Sequence, residues 1–136
     1  MTDLTVTAAK VRPLDGSRTR GFDLGGAAAP GDAVYIASDG DIEKADANVS
    51  AATGRGIGLI VAIEGGKSAG VAGDHCTVCV FGPVEGFSSL TPGANGYLSD
   101  TAGKLADAAG TQSRIIGYAE SATAFFVLPE MNDPSS

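Results

Sequence analysis

Two stretches of this chain run in the same order. Pro30 to Val61 reads PGDAVYIASDGDIEKADANVSAATGRGIGLIV, and Pro92 to Ala119 reads PGANGYLSDTAGKLADAAGTQSRIIGYA. Pro30-Gly31 matches Pro92-Gly93, and Tyr35-Ile36 matches Tyr97-Leu98. After a one-residue slip, Gly40-Asp41-Ile42 matches Gly103-Lys104-Leu105, and Arg55-Gly56-Ile57-Gly58 then matches Arg114-Ile115-Ile116-Gly117. Each copy reads as a turn, a short strand, a second turn, a returning strand and a third apolar run. A hairpin unit of this size cannot bury its own apolar face, so two copies are expected to pack into one shared β core.

The remaining segments read as further strands. Leu4 to Ala8 alternates with period two, and Lys10-Val11-Arg12 extends it. Pro13 to Ser17 is a turn cluster, and Gly21 to Leu24 a short strand. Ala33 to Ala37 turns at Asp39-Gly40 and returns as Ile42 to Ala45, because Gly accepts the positive φ of a tight hairpin and Asp tolerates it. Ile57 to Ile63 is apolar on both faces and reads as a central buried strand. His75 to Phe81 places Cys76, Val78 and Val80 on one face, with His75, Thr77, Cys79 and Phe81 on the other. Gly82-Pro83 is expected to interrupt that ladder, since proline has no N–H to donate. Ala124 to Leu128 is a final strand that closes the core, and a short helical turn fits at Ala106 to Ala109. The fold class is therefore all-β, a small and mainly antiparallel barrel or sandwich built from two related hairpin units. Residues 1–20 read as an N-terminal arm or edge strand, 21–129 as a single β domain and 130–136 as a polar tail, mobile unless a partner holds it.

Composition bears on partners. With 16 acidic against 9 basic residues the formal charge is −7, a field that repels nucleic-acid phosphate. Lys10, Arg12, Arg18 and Arg20 cluster near the N-terminus, but Asp15 and Asp23 dilute them, and a solvated turn accounts for them. The longest apolar run is far too short to span a bilayer as a helix. Two cysteines and no leader segment point to synthesis in a reducing cytoplasm.

Several signals look chemical and have a plainer reading. Gly65-Gly66-Lys67-Ser68 ends like a nucleotide loop, but Val61 stands where the earlier glycine is needed and no helix follows. Cys76 and Cys79 have knuckle spacing with His75 beside them. A zinc site needs about four ligands, and a three-residue separation on one strand aims the two thiols at opposite faces. They read as buried apolar side chains. His75 beside Asp74 is a poor triad, because triads draw on separate elements. Asp39, Asp41, Glu43 and Asp46 depart from the calcium-loop pattern, and Asp39 reads as a turn residue. Tyr35 and Tyr97 occupy matching positions and read as rings at the edge of the core with hydroxyls near solvent.

The order Pro30-Gly31-Asp32, Val34-Tyr35-Ile36, Asp39-Gly40, Gly56-Ile57-Gly58 and Gly73-Asp74, followed by Val78 to Gly86, resembles the capsid decoration, or capsid cement, family of tailed bacteriophages. Pro92-Gly93, Tyr97 to Asp100, Gly103-Lys104-Leu105, Ile116 to Ala119 and Val127-Leu128 continue the likeness, which runs from about Gly21 to Leu128. Its elements are turn and strand patterns, and other phage head-fibre and tail proteins use similar repeats. The resemblance implies a structural virion protein on the outer capsid surface. Such a protein binds the major capsid protein, staples shell subunits together and assembles as a homo-oligomer, often a trimer. It implies no enzymatic residue, cofactor or metal. On this reading the arm supplies the contacts, with Leu4, Val6, Lys10 and Arg12 as the candidate capsid or subunit contacts. A receptor- or glycan-binding module of a head fibre or tail is the alternative, and would display an exposed aromatic patch drawn from Tyr35, Tyr97 or Phe87. A small cytoplasmic enzyme has little support.

Overall fold

The structure, a computed structural model, describes residues 2–50 and 53–130. The strands in chain order are β1 (Thr5–Val6), β2 (Arg12–Pro13), β3 (Arg18–Asp23), β4 (Ala33–Ile36), β5 (Ile42–Lys44), β6 (Gly58–Ile63), β7 (His75–Glu85), β8 (Phe87–Ser88), β9 (Asn95–Leu98), β10 (Leu105–Ala106), β11 (Ile115–Ala119) and β12 (Ala124–Val127). Every strand pair is antiparallel. The main sheet runs β10-β9-β11-β12-β7-β6-β4-β5. It curls into a half-barrel, and a parallel bridge from Leu24 to Ile42 draws the end of β3 toward β5.

The sequence repeat is a structural repeat. In the first unit β4 pairs with β5 and β6, matching Ile36 to Ile42 and Val34 to Gly58. In the second, β9 pairs with β10 and β11, matching Leu98 to Leu105 and Gly96 to Gly117. The one-residue slip falls in the hairpin turn, where it does not disturb the pairing. Each unit gains a fourth strand, β7 beside β6 and β12 beside β11, and these two pair with each other. The strand order is consequently a palindrome of the two units.

Two apolar clusters lie on opposite faces of the β4–β6–β7 sheet, where one shared interior was expected. Ala33, Leu59 and Cys79 point into the first with Leu98, Leu105, Ile116 and Phe125 of the second unit. Val34, Ile42, Ile60 and Val78 point into the second with Leu24 and Ala28. The cause is β6: five of its six residues are buried, Leu59 and Val61 toward one side and Ile60 and Ile63 toward the other, so it fills an interior on each side. Register makes Val34, Ile42, Ile60 and Val78 the counterparts of Gly96, Leu105, Ala119 and Phe125. The opposite face of unit one, with Ala33, Leu59 and Cys79, therefore packs onto the inner face of unit two. The corresponding outer face of unit two carries Asn95, which is exposed, and Tyr118 and Phe126, which are partly exposed.

Several local readings differ from the sequence expectations. The N-terminal segment is not one strand, because a 3-10 turn at Ala8–Lys10 separates β1 from β2. β7 is continuous through Gly82 and Pro83. Gly82 adopts φ +109, and there the strand changes partners from β6 and β3 to β12 and β2, so the missing proline N–H marks a handover. β12 closes the core as expected, with Phe125 and Val127 in the first cluster, and does so from the middle of the sheet between β11 and β7. Ala106 ends β10 and residues 107–108 bend, so no helical turn forms there. β3 starts at Arg18, inside the stretch read as an arm. The tail read at 130–136 lies outside the described residues after Glu130.

Asp32 sits where the units meet. It is buried, accepts the Ala29 N–H at 2.9 Å and lies 3.9 Å from Lys104 Nζ of the second unit. Burial raises its pKa above the usual 3.8, against the lowering influence of the Ala29 N–H and of Lys104 and Lys44. A raised folded-state pKa means the native state holds this proton more tightly than the unfolded chain does. Its contribution is full below the unfolded value and is lost as pH rises from 3.8 through the folded value. Asp32→Asn keeps an oxygen for the Ala29 N–H. It is expected to be at least as stable as the parent at pH 7, with that relative gain shrinking toward pH 4, as read by urea denaturation across the range.

Candidate interaction surface

The N-terminal arm is laid along its own domain as a strap. Leu4 N–H donates to the Leu105 carbonyl at 2.7 Å, and Asp107 N–H donates to the Thr2 carbonyl at 3.0 Å, so the arm covers the outer edge of β10. β1 then pairs with β8, matching Val6 to Phe87, and β2 pairs with the end of β7. Leu4 and Val6 are half-buried against the first cluster, and Val11 belongs to it. Lys10 and Arg12 are exposed. Of the four candidate contact residues, the structure thus turns Leu4 and Val6 inward and leaves Lys10 and Arg12 facing out.

Lys10 and Arg12 border an open cleft of about 600 Å³ that also includes Thr7, Glu85, Phe87 and Thr123. Arg12 Nη2 lies 2.6 Å from Glu85 Oε2, and its Nε lies 3.1 Å from the same oxygen. The Arg12 side chain is 67% exposed, so solvent screens this pair. Arg12→Ala is expected to change unfolding free energy by less than about 1 kcal/mol, measured by chemical denaturation.

The residues that looked chemical are accounted for locally. Cys76 points into the second cluster and Cys79 into the first; both are free and buried. Burial pushes the Cys76 thiol up to about 11, with nearby Asp23 adding to the rise, and burial also raises Cys79. Both stay protonated at neutral pH, so neither is a ready nucleophile. His75 Nδ1 lies 3.2 Å from Asp23 Oδ1 with both side chains largely exposed. Lys67, after the Gly65-Gly66 turn, pairs with Asp74 at 3.1 Å, and Asp74 also accepts the Val71 N–H. These two bonds hold the Asp74 carboxyl below its usual range. Asp39 Oδ1 accepts the Asp41 N–H at 3.0 Å, as a turn residue does. Among the described residues no three of His, Cys, Asp and Glu gather as a metal-binding set, and no helix is long and apolar enough to cross a membrane.

No family model and no curated protein matches this chain.

The aromatic surface is not the one read from the sequence. Phe87 is buried against Phe125, with ring centroids 5.6 Å apart. Tyr35 and Tyr97 are half-buried, and desolvation raises the Tyr35 hydroxyl, with Glu43 and Asp39 adding to it. The aromatic cluster lies instead on the outer face of unit two. Tyr118 stacks on Phe126 at 5.2 Å, and Phe81 meets Phe126 edge-on at 5.2 Å. Arg114 is buried nearby and donates to the Gly56 carbonyl at 3.2 Å. Alternation could have grouped these rings on one side, but nothing in the sequence says which side goes uncovered.

Proposed function

We propose that this protein is a capsid decoration protein: it binds the outer surface of a phage head and ties major capsid subunits together. The resemblance across Gly21 to Leu128 brings in the class. The observation that carries the reading is the arm, an extended segment strapped over a rigid two-unit β platform with Lys10 and Arg12 facing out along it. A cement protein gains its hold from many copies, each making modest contacts whose sum offsets the cost of association. A stiff platform suits that, because little ordering entropy is lost at the shell. The net charge of −7 fits a protein facing solvent and not packaged DNA.

The test is occupancy on purified heads that lack the protein. Added back, it is expected to bind in a fixed ratio to major capsid subunits and to raise the temperature at which heads release DNA. Lys10→Glu with Arg12→Glu is expected to lower occupancy at least about ten-fold while leaving the circular-dichroism spectrum unchanged. Deletion of residues 2–10 is a poorer probe, because Leu4 and Val6 pack on the protein's own core. Failure to bind heads at all, with binding to host cells or glycans in its place, would favour the fibre or tail module.

A further inference from the structure

We propose that the free edge of β3, with the apolar groove beside it, takes an extended segment of a partner polypeptide that alternates bulky apolar with acidic residues. The groove encloses about 480 Å³. Its apolar lining is Phe22 from β3, Val80 and Phe81 from β7, Ile36 at the end of β4, Ile57 just before β6 and Leu128 just after β12. It is the open continuation of the second cluster, since Phe22, Ile57 and Val80 pack against that cluster's buried members. Ile36, Phe81 and Leu128 are the exposed rim, at 48%, 40% and 48%. A contiguous apolar surface of this kind marks an interaction site more often than scattered apolar residues do.

Backbone and charge specify the occupant. Among the described residues β3 pairs only with β7, so the N–H and C=O groups on its other edge have no strand partner over Arg18 to Asp23. An incoming extended segment can satisfy them, while alternate side chains drop into the groove. Arg18 and Arg20 are exposed on this strand and make no ion pair among the described residues. On a chain of net charge −7, Arg18 and Arg20, with Arg114 in the groove wall, outnumber the nearby carboxylates Asp23 and Glu130 and favour carboxylates in the occupant. Arginine on a bare edge also discourages pairing with unselected strands, so it adds selectivity to the site. This surface is separate from Lys10 and Arg12, and the proposal stands whether or not the protein decorates a capsid.

The probe is a synthetic peptide, Glu-Val-Glu-Phe-Glu-Val-Glu-Val, set against its counterpart with lysine at every glutamate. Each is titrated into the isotope-labelled full chain and followed by NMR. The acidic peptide is expected to shift β3 amides and the methyl groups of Ile36 and Leu128, saturating with a Kd below about 1 mM. The lysine peptide should bind at least about ten-fold more weakly. Arg18→Glu with Arg20→Glu should invert that order while the rest of the spectrum stays in place. Equal binding of the two peptides, shifts confined to other surfaces, or no binding at about 1 mM overturns the proposal. So does self-association through β3 in sedimentation, because a second copy would then be the occupant.

Discussion

Gly117→Ala is expected to cost about 3 kcal/mol and to lower the melting temperature by on the order of 10 °C. A β carbon at Gly117 would overlap the Phe126 carbonyl oxygen, far inside van der Waals contact, and would sit 2.9 Å from the Phe125 ring. The clash is with backbone, which cannot rotate away, so β11 and β12 would have to separate. Gly58 is the equivalent position in the first unit, and its β carbon would strike the Cys79 carbonyl of β7 in the same manner. Gly58→Ala should therefore cost a similar amount. Neither residue has a positive φ, so the requirement comes from strand-to-strand approach and not from backbone conformation. Gly26→Ala is the control: its β carbon would meet only a Glu43 carboxylate oxygen at 3.7 Å, and a change within about 0.5 kcal/mol is expected. Urea denaturation of the three variants decides the matter: a Gly117→Ala protein as stable as the Gly26→Ala protein would refute the close strand approach, and a Gly58→Ala protein far more stable than Gly117→Ala would refute the equivalence.

Phe125→Ala should be as damaging or worse, at about 3–5 kcal/mol. Phe125 is fully buried in the first cluster and lies close beneath Gly96 and Gly117, so the two glycines make room for its ring. Truncation leaves a void that β-sheet backbone on both sides cannot collapse to fill. Its neighbour Phe126 faces outward, partly exposed, with its ring against Phe81 and Tyr118. Phe126→Ala is expected to cost about 1–2 kcal/mol. The contrast between two adjacent phenylalanines, read from one set of denaturation curves, reports directly which face of unit two is covered.

The repeat was the legible part of this fold. Matching Gly58 to Gly117 and Ile42 to Leu105 by sequence order placed them at equivalent positions of equivalent strands, because turn residues and apolar spacing carry register. The opposite orientations of Cys76 and Cys79 followed from strand alternation alone. Coverage was not legible. Period-two patterning assigns side chains to faces, but it does not say that unit one stacks on the inner face of unit two, or that Asn95, Tyr118 and Phe126 keep part of their surface exposed on its outer face. Arg114 could not be read as buried either, since its partner carbonyl at Gly56 is 58 residues away. Pro83 misled for a related reason: a missing donor breaks a ladder only where a partner needs it, and β7 is changing partners there.

β12 sits in the middle of the sheet, yet it leaves the ribosome after the eleven other strands of the described residues. While residues 124–127 are still inside the exit tunnel, β7 and β11 each lack a neighbour and the first cluster lacks Phe125. The pairings of β3, β4, β5 and β6 and the second cluster need nothing from β12, so the first unit can form ahead of the second, which waits for residues 124–127 to emerge and join the halves.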